Sequence, residues 1–231
     1  MDDAFANYLL KKTREDYNLI ADQFSNTRKF IWPELKNLVR FCRNGERILD
    51  LGCGNGRLAE LFQERAVDYL GVDWAEKLIE KARKRYPARK FQKANALNLP
   101  LPSNYFDKIF SIAVFHHLPS KKLRIKFLRE VKRVLKPDGL LILTVWNLCQ
   151  RKFLKYHLKH FFLKLIGRSK LDFKDIFYPW KGQKGEVLAE RYLHCFTIRE
   201  LKKLVKGAGL KIKEIGFLSK KRKNIYLVAK K

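Results

Sequence analysis

Apolar and polar positions along the chain follow two periods, which predict strands separated by helices. Short apolar runs at residues 47–51 and 106–113 are typical of buried strands. In residues 121–135, apolar side chains recur at positions 123, 127, 128, 131, 134 and 135, which is the stripe of a helix. Strands that alternate with helices predict a parallel sheet with helices on both faces, the doubly wound α/β class.

The same periods predict the remaining elements. Further strands are expected at residues 67–72, near Phe91, and at residues 140–145, 210–218 and 224–229, the last two as an antiparallel hairpin that completes seven strands. Further helices are expected from about Arg57, at residues 75–86, and from an N-cap at Thr197 to about Gly207. Residues 1–45 are predicted to form an N-terminal helical cap, broken before Pro33. We expect one domain over residues 1–231.

Residues 147–190 interrupt this order, and we interpret them as a basic helical insertion before the sixth strand. They contain an amphipathic helix at residues 151–166, with an apolar face formed by Leu154, Leu158, Phe161, Phe162 and Leu165. We expect this face to pack against the sheet. A lid over the active site and attachment to an anionic membrane are alternatives, and the latter requires exposed Phe161 and Phe162.

The composition adds a strong charge. The chain has 51 Lys and Arg against 23 Asp and Glu, a net charge of +28. A field of this sign attracts polyanions, so nucleic acid is the first candidate partner and an anionic membrane the second; a generally lysine-rich genome is the alternative. No apolar run reaches the roughly 18 residues of a membrane span. The four cysteines show no metal spacing and suit a reducing cytosol, so we expect no metal and a cytoplasmic location.

The first predicted strand runs into a glycine turn, Asp50-Leu51-Gly52-Cys53-Gly54-Asn55-Gly56. Such glycines let a backbone approach a ligand closely at the carboxyl end of a sheet. Asp73 ends the second strand, where a carboxylate can accept hydrogen bonds from both hydroxyls of a ribose. Trp74 follows it and is a candidate to lie against an adenine, and Asn95-Ala96 follows the third strand. A chance turn and a dinucleotide site are the rival explanations.

The turn resembles motif I of the class I methyltransferases, and residues 135–140 resemble the loop before the fifth strand of their Rossmann-like sheet. The resemblance covers residues 46–146 and implies S-adenosylmethionine as the cofactor, which needs no phosphate site. It implies these cofactor-binding residues: Tyr17, Asp50, Gly52, Cys53, Gly54, Gly56, Asp73, Trp74, Asn95, Ala96 and Ala113. An amide oxygen at Asn95 can accept a hydrogen bond from the adenine amino group.

Segments outside this core carry a second resemblance. They are Phe24-Ser25-Asn26-Thr27-Arg28 with Trp32-Pro33, Ile112-Ala113-Val114-Phe115-His116-His117, Val145-Trp146, and Arg191-Tyr192-Leu193-His194. In this order they resemble the tRNA 5-carboxymethyluridine methyltransferases, which include the methyltransferase domain of the eighth AlkB homologue. The resemblance runs over nearly the whole chain and implies methyl esterification of a carboxylate on the wobble uridine. A small zinc-binding activator subunit is a possible partner, docked at an apolar sheet edge around residues 67–70 and Phe91.

A carboxylate is ionised at neutral pH, so this chemistry needs alignment and cations but no general base. On this resemblance the candidate catalytic residues are Arg28, His116, Arg191 and His194, because arginine forks suit carboxylates. The candidate substrate-binding residues are Trp32, His117, Trp146, Trp180 and Tyr192. Aromatic rings can stack on a base splayed out of the tRNA anticodon loop. Of the four aromatic candidates Trp32, Trp146, Trp180 and Tyr192, at least two are expected to be packed in the core.

Each candidate has a structural alternative. Arg28 can form a salt bridge among the N-terminal helices or contact the cofactor's own carboxylate. Arg191 can pair with Glu186 or Glu190, and His117 can be a helix-start residue. At the level of function, the runner-up is a methyltransferase for a quinone or lipid-like acceptor, which predicts tolerance of changes at both arginines. A third hypothesis is an RNA-binding scaffold that has lost the cofactor. The basic C-terminus, with its turn at residues 220–223, is a candidate to track phosphates.

Overall fold

Seven strands form one mixed sheet in the computed structural model, which describes residues 1–219 and 223–231. The spatial order is β3-β2-β1-β4-β5-β9-β8, with β1 to β5 parallel and β9 and β8 antiparallel. The strands are β1 Arg47–Leu51, β2 Asp68–Asp73, β3 Lys90–Lys93, β4 Phe106–Ile112, β5 Leu135–Val145, β6 Asp175–Lys181, β7 Val187–His194, β8 Lys211–Phe217 and β9 Ile225–Lys230. The doubly wound sheet with an antiparallel last hairpin is confirmed. The turn predicted at residues 220–223 lies, except for Lys223, outside the described residues.

Six α-helices and four 3₁₀ segments connect these strands in the described ranges. The α-helices are α1 Asp3–Leu19, α2 Ala21–Thr27, α3 Glu76–Arg85, α4 Lys121–Val134, α5 Leu154–Leu165 and α6 Ile198–Gly207. The 3₁₀ segments are Pro33–Phe41, Arg57–Phe62, Phe115–His117 and Arg151–Phe153. Thr197 is the N-cap of α6, because its side chain accepts a hydrogen bond from the Glu200 backbone at 3.2 Å.

The hydrophobic core lies on both faces of the sheet because successive side chains of a strand point to opposite faces. In β1, Leu49 and Leu51 pack in the cluster that includes α4 and α6, whereas Ile48 packs in the cluster on the other face. All three side chains are fully buried. The layers hold the carboxyl ends of the parallel strands at one edge, where loops converge.

The insertion contains a structure that the sequence did not predict. Beyond α5, strands β6 and β7 pair as a separate antiparallel hairpin, so residues 191–194 extend β7 and do not belong to the main sheet. The hairpin packs against α1 on one side and α5 on the other. Its apolar pattern is short and interrupted by Pro179, which is why a helical insertion was the simpler interpretation of the sequence.

The apolar face of α5 does not pack against the sheet, as the sequence led us to expect. The five side chains of this face are between 42% and 61% exposed; they are Leu154, Leu158, Phe161, Phe162 and Leu165. The helix instead turns Tyr156 and His160 toward the hairpin, where His160 Nε2 accepts a hydrogen bond from the Phe177 backbone at 3.2 Å. Within the described residues, no helix has the length and apolar character needed to cross a bilayer.

The sheet edge at β3 also differs from expectation. Phe91 is only 6% exposed and Tyr69 only 2% exposed, so both rings point into the core. The apolar edge that we expected as an activator's docking surface is therefore absent around these residues. β3 nevertheless ends the sheet, so its outer backbone groups have no neighbouring strand in the described part of the chain.

Candidate active site

The glycine turn follows β1 and needs glycine at its first position. Gly52 has a φ of +83°, in the left-handed region. A Cβ atom built there would lie 2.3 Å from a methyl carbon of Val114, closer than two carbon atoms can approach. Gly52 and Val114 both line a deep cavity at the carboxyl ends of β1 and β2. The turn therefore brings bare backbone to the cavity wall, as the sequence predicts.

Asp73 is fixed at the floor of this cavity by backbone donors. Gly54 donates to its Oδ2 at 2.9 Å and Ala75 donates to its Oδ1 at 2.8 Å. Burial raises the pKa of this carboxyl, and the backbone hydrogen bonds oppose that shift. Each oxygen keeps a second lone pair, so the carboxylate can accept from two hydroxyls of a ligand.

Asp50 is a second acid in the cavity wall, fully buried beneath the turn. The Tyr69 hydroxyl donates to its Oδ2 at 2.7 Å. Burial raises the pKa of Asp50 to about 7, and the hydrogen bond from Tyr69 opposes this shift. The group is therefore half ionised near neutral pH, and a cation bound in the cavity would favour its ionised form.

We expect the affinity for a cationic cofactor to fall below pH 7, by up to about tenfold per pH unit, because protonation removes the negative charge of Asp50. Asp50→Asn should lower affinity at pH 8 and remove this dependence. Titration calorimetry across pH 5.5 to 8.5, roughly the span of a single titration, checks both. The free energy of unfolding of the ligand-free protein depends on pH in the opposite direction. An unfolded carboxyl ionises near 3.8, so the free energy of unfolding falls as pH rises between that value and about 7.

The candidate adenine contacts lie on the same cavity wall. Trp74, Asn95 and Ala96 line the cavity, together with Cys53, Gly54 and Ala113. The Arg14 guanidinium lies 5.0 Å from the Trp74 ring centroid, so one face of that ring is already covered. Asn95 Oδ1 accepts from the Leu97 backbone at 2.9 Å, which fixes the orientation of the amide.

Tyr17, His117 and the Tyr192 carbonyl are linked by hydrogen bonds at the inner side of the cavity. His117 Nδ1 lies 3.0 Å from the Tyr192 carbonyl oxygen, which can only accept, so Nδ1 carries the proton. His117 Nε2 then accepts from the Tyr17 hydroxyl at 2.9 Å. Burial, with the charge of Arg191, lowers the pKa of His117 to about 3, so this histidine is neutral.

Arg191 and Arg28, which are 163 positions apart, meet at one indole ring. Each guanidinium carbon lies 4.9 Å from the Trp180 ring centroid. Arg191 also lies 5.5 Å from the Trp146 centroid and 5.6 Å from the Tyr178 centroid, so three aromatic rings surround it. It reaches this place on β7, whereas Arg28 follows α2.

The Arg191 side chain is 3% exposed, and its Nε has no hydrogen-bond partner. Among the described residues, no carboxylate lies within 4.0 Å of it, so the alternative pairing with Glu186 or Glu190 is not formed. The charge of the buried Asp16 acts on Arg191 from beyond ion-pair distance. A buried guanidinium without a carboxylate in direct contact is costly, and the aromatic faces offset only part of that cost. The arrangement is that of a cation prepared for an anionic ligand.

The inner cavity opens into an outer cleft on the insertion side. Both are lined by Arg28, Ile31, Trp32, Arg57, Trp146 and Arg191. Trp180 and Tyr178 continue the wall of the outer cleft. Candidate residues from four distant segments therefore meet at the opening between a cofactor-sized cavity and a surface cleft.

Four candidates line neither cavity: Gly56, His116, Tyr192 and His194. Tyr192 is 1% exposed, and Arg124 donates to its hydroxyl at 3.0 Å. His194 lies between Asp175, at 2.6 Å, and Glu200, at 2.9 Å. These contacts tie β7 to the body of the protein. They place Tyr192, predicted to bind substrate, and His194, predicted to be catalytic, where each side chain holds β7 in position and faces neither cavity.

His116 is also fully buried and lines neither cavity. Its Nδ1 accepts from the Trp146 backbone at 3.3 Å, and its ring lies 5.2 Å from the Trp146 ring. Burial lowers the pKa of His116 well below the usual value, so it is neutral. His116, predicted to be catalytic, thus contacts Trp146 and faces neither cavity.

Sequence reasoning missed Arg57, Tyr178 and Arg14. The Arg57 guanidinium lies 4.8 Å from the Trp32 centroid at the cleft opening. Its place directly after the last glycine of the turn was a usable signal, because that position starts a helix at the carboxyl edge of the sheet. Tyr178 and Arg14 had no such signal, since their positions depend on the hairpin and on the docking of α1.

Comparison with known proteins agrees with this geometry. Residues 49–143 match the family model described as a methyltransferase domain. The tRNA (carboxymethyluridine(34)-5-O)-methyltransferase of Schizosaccharomyces pombe is 32% identical over 93% of this chain and 94% of its own length. The chain belongs to this methyltransferase family. The probable tRNA methyltransferase 9B of Bos taurus is 31% identical over 78% of this chain, which spans only about a third (35%) of that longer relative.

Solved structures support the fold. A SAM-dependent methyltransferase from Methanosarcina mazei superposes with a TM-score of 0.71 at 22% identity, over 87% of this chain and 98% of that one. A chain of the complex between the Haloferax volcanii Trm112 activator and a putative methyltransferase superposes with a TM-score of 0.63 at 15% identity, over 93% and 96% of the two chains.

The cofactor of the family is S-adenosylmethionine, and the residues of the inner cavity fit it. The bare turn at Gly52, the anchored carboxylate of Asp73 and the buried carboxylate of Asp50 suit a ligand with a ribose and two cationic groups. The carboxylate of Asp50 lies beneath the glycine turn, which is where a dinucleotide would place its pyrophosphate and would meet repulsion.

Proposed function

We propose that the protein transfers a methyl group from S-adenosylmethionine to the carboxylate of 5-carboxymethyluridine at the wobble position of tRNA. The single observation that carries the proposal is the buried guanidinium of Arg191 at the opening of the cofactor cavity, whose Nε has no hydrogen-bond partner and which has no carboxylate in direct contact among the described residues. A carboxylate on the substrate would supply a counter-ion in direct contact. Arg28, on the same indole ring, is the second cation for that group.

The cofactor, when bound, supplies an electrophilic methyl group on a sulfonium. The acceptor carboxylate is ionised at neutral pH and needs no base. Burial lowers the pKa values of His116 and His117 and makes both weak bases, which is compatible with a reaction that needs no base. Arg191 and Arg28 orient the carboxylate, and the surrounding rings exclude water from it, so the chain contributes alignment and partial desolvation.

The outer cleft fits a splayed nucleotide of the anticodon loop. Trp32 and Trp146 border it, and both are partly exposed, which stacking on a base requires. The net charge of +28 supplies the sequence-independent attraction to phosphates. As part of the proposal, a cytoplasmic location follows from a tRNA substrate, and an activator subunit pairs with the free edge of β3.

The runner-up is methylation of a lipid-like acceptor, which the exposed apolar face of α5 favours. The two acceptors make different demands on Arg191, since a quinone has no carboxylate. A third possibility, a scaffold without cofactor, disagrees with the intact cavity.

The test is transfer of labelled methyl to total tRNA from cells that accumulate 5-carboxymethyluridine, compared with tRNA from cells that lack it. The reaction is run with and without an activator subunit. We expect label only in the first tRNA, released by mild base as an ester would be. Cofactor binding without label in either tRNA, with or without the activator, would contradict the proposal and favour the small-molecule acceptor.

A further inference from the structure

The outward face of α5 is apolar although it contacts solvent. We call the α5 face the exposed side chains Leu154, Leu158, Phe161, Phe162 and Leu165, continued by Ile166 at 64% and Phe173 at 60% exposure. The opposite side of the helix is already used, because Tyr156 and His160 contact the hairpin. Three phenyl rings form one cluster, with Phe161 lying 5.8 Å from Phe162 and 6.0 Å from Phe173.

The charge around this face has one sign. Residues 139–171 contain seven Lys and Arg and no Asp or Glu. Within the described residues none of these seven forms a salt bridge, and several lie over rings, as Lys164 does over Phe173 at 5.4 Å. On the helical wheel Lys155 and Lys159 flank the apolar stripe on one side and Lys164 on the other.

We propose that α5 binds the surface of anionic phospholipid bilayers, with the α5 face among the acyl chains and its flanking lysines at the headgroups. A helix of 12 residues is too short to span a bilayer but suits one that lies in the interface. Lysine stems can extend along the apolar stripe and place their ammonium groups at the phosphates.

The surface itself disfavours other occupants. A second copy of the chain would bring two all-basic segments together in a protein of net charge +28. The phenyl rings of this face could stack on the bases of an RNA strand, but Leu154, Leu158, Leu165 and Ile166 would offer that strand neither a hydrogen bond nor a stacking face. An anionic bilayer matches the basic charge with its negative headgroups and the apolar side chains with its hydrocarbon interior.

This attachment has a consequence for the site, because the start of α5 borders the outer cleft. Lys152, Phe153 and Tyr156 line that cleft. A bilayer bound to the α5 face would therefore lie close to the substrate entrance. The inference does not depend on which acceptor the enzyme uses.

The experiment measures sedimentation of the full chain with vesicles of phosphatidylglycerol and phosphatidylcholine, and with vesicles of phosphatidylcholine alone. It is done at low salt, about 0.1 M, and at about 1 M, where the Debye length falls from about 10 Å to about 3 Å. We expect binding to the anionic vesicles that persists in part at high salt, because the inserted apolar face is not screened. Binding to the neutral vesicles should be at least tenfold weaker.

The variant is Phe161→Ser with Phe162→Ser, and the control is Leu19→Ser with Phe217→Ser, two similarly exposed apolar residues outside the insertion. The first variant should lose at least tenfold in vesicle affinity at high salt, and the control should match the unchanged protein. Unchanged S-adenosylmethionine affinity shows that each variant is folded. Equal binding by both variants, complete loss of unchanged-protein binding at high salt, or a stable dimer that the first variant dissociates would each overturn the proposal.

Discussion

Replacing Arg191 by methionine is expected to lower kcat/KM for methyl transfer to tRNA by about 100- to 1000-fold, because a buried charge pair with the substrate carboxylate is lost. The affinity for S-adenosylmethionine should change by less than about threefold, a shift well under 1.4 kcal/mol. Steady-state kinetics with tRNA bearing 5-carboxymethyluridine, together with calorimetry for the cofactor, measure the two effects separately.

Stability should respond to the same substitution in the opposite direction. Arg191 is buried with no carboxylate in direct contact among the described residues, so methionine, of similar length, should keep or raise the melting temperature of the free protein. Arg168→Met is the matched control, since Arg168 is an exposed arginine of the same insertion. A normal reaction rate in Arg191→Met, or an equal loss in Arg168→Met, would show that Arg191 does not hold the carboxylate.

Gly52→Ala is expected to have the largest effect on the cofactor cavity. The new methyl would overlap Val114, 2.3 Å away, and the residue would be held at a φ of +83°. Left-handed strain of about 1–2 kcal/mol and overpacking of about 1–3 kcal/mol would both lower the free energy of unfolding. Because Val114 lines the cavity, its displacement should also abolish measurable cofactor binding. Urea unfolding and calorimetry measure the two results.

Gly45→Ala separates the strain from the clash. Gly45 has nearly the same φ, +82°, but no atom lies within 4 Å of a Cβ built there. It should lose only about 1–2 kcal/mol of stability and bind cofactor normally. Adding Val114→Ala to Gly52→Ala should restore part of the loss, which a double-mutant cycle quantifies. If the two glycine variants are equally stable and both bind cofactor, the clash with Val114 is not what excludes a side chain at position 52.

The inner cavity was predictable because its determinants are local in sequence. The glycine turn must follow a buried strand, and Asp73 ends the next one, so the parallel order of β1 and β2 brings them to the same edge. The sequence was a poorer guide to the roles of Arg191, Tyr192 and His194. They share one short segment, yet side chains on alternate sides of β7 have different surroundings: Arg191 lines the cleft, whereas Tyr192 and His194 are held in the interior.

The sequence by itself determined the doubly wound sheet, the cofactor cavity and the basic charge, because alternation, helical periodicity and turn glycines act over a few residues. Only the tertiary structure decided which aromatic and charged residues face the cleft, because that depends on a hairpin packed between α1 and α5. It also decided that the apolar face of α5 points outward. Helical periodicity shows that a helix has two faces, but which face is buried depends on what lies beside it, here the hairpin on the side of Tyr156 and His160.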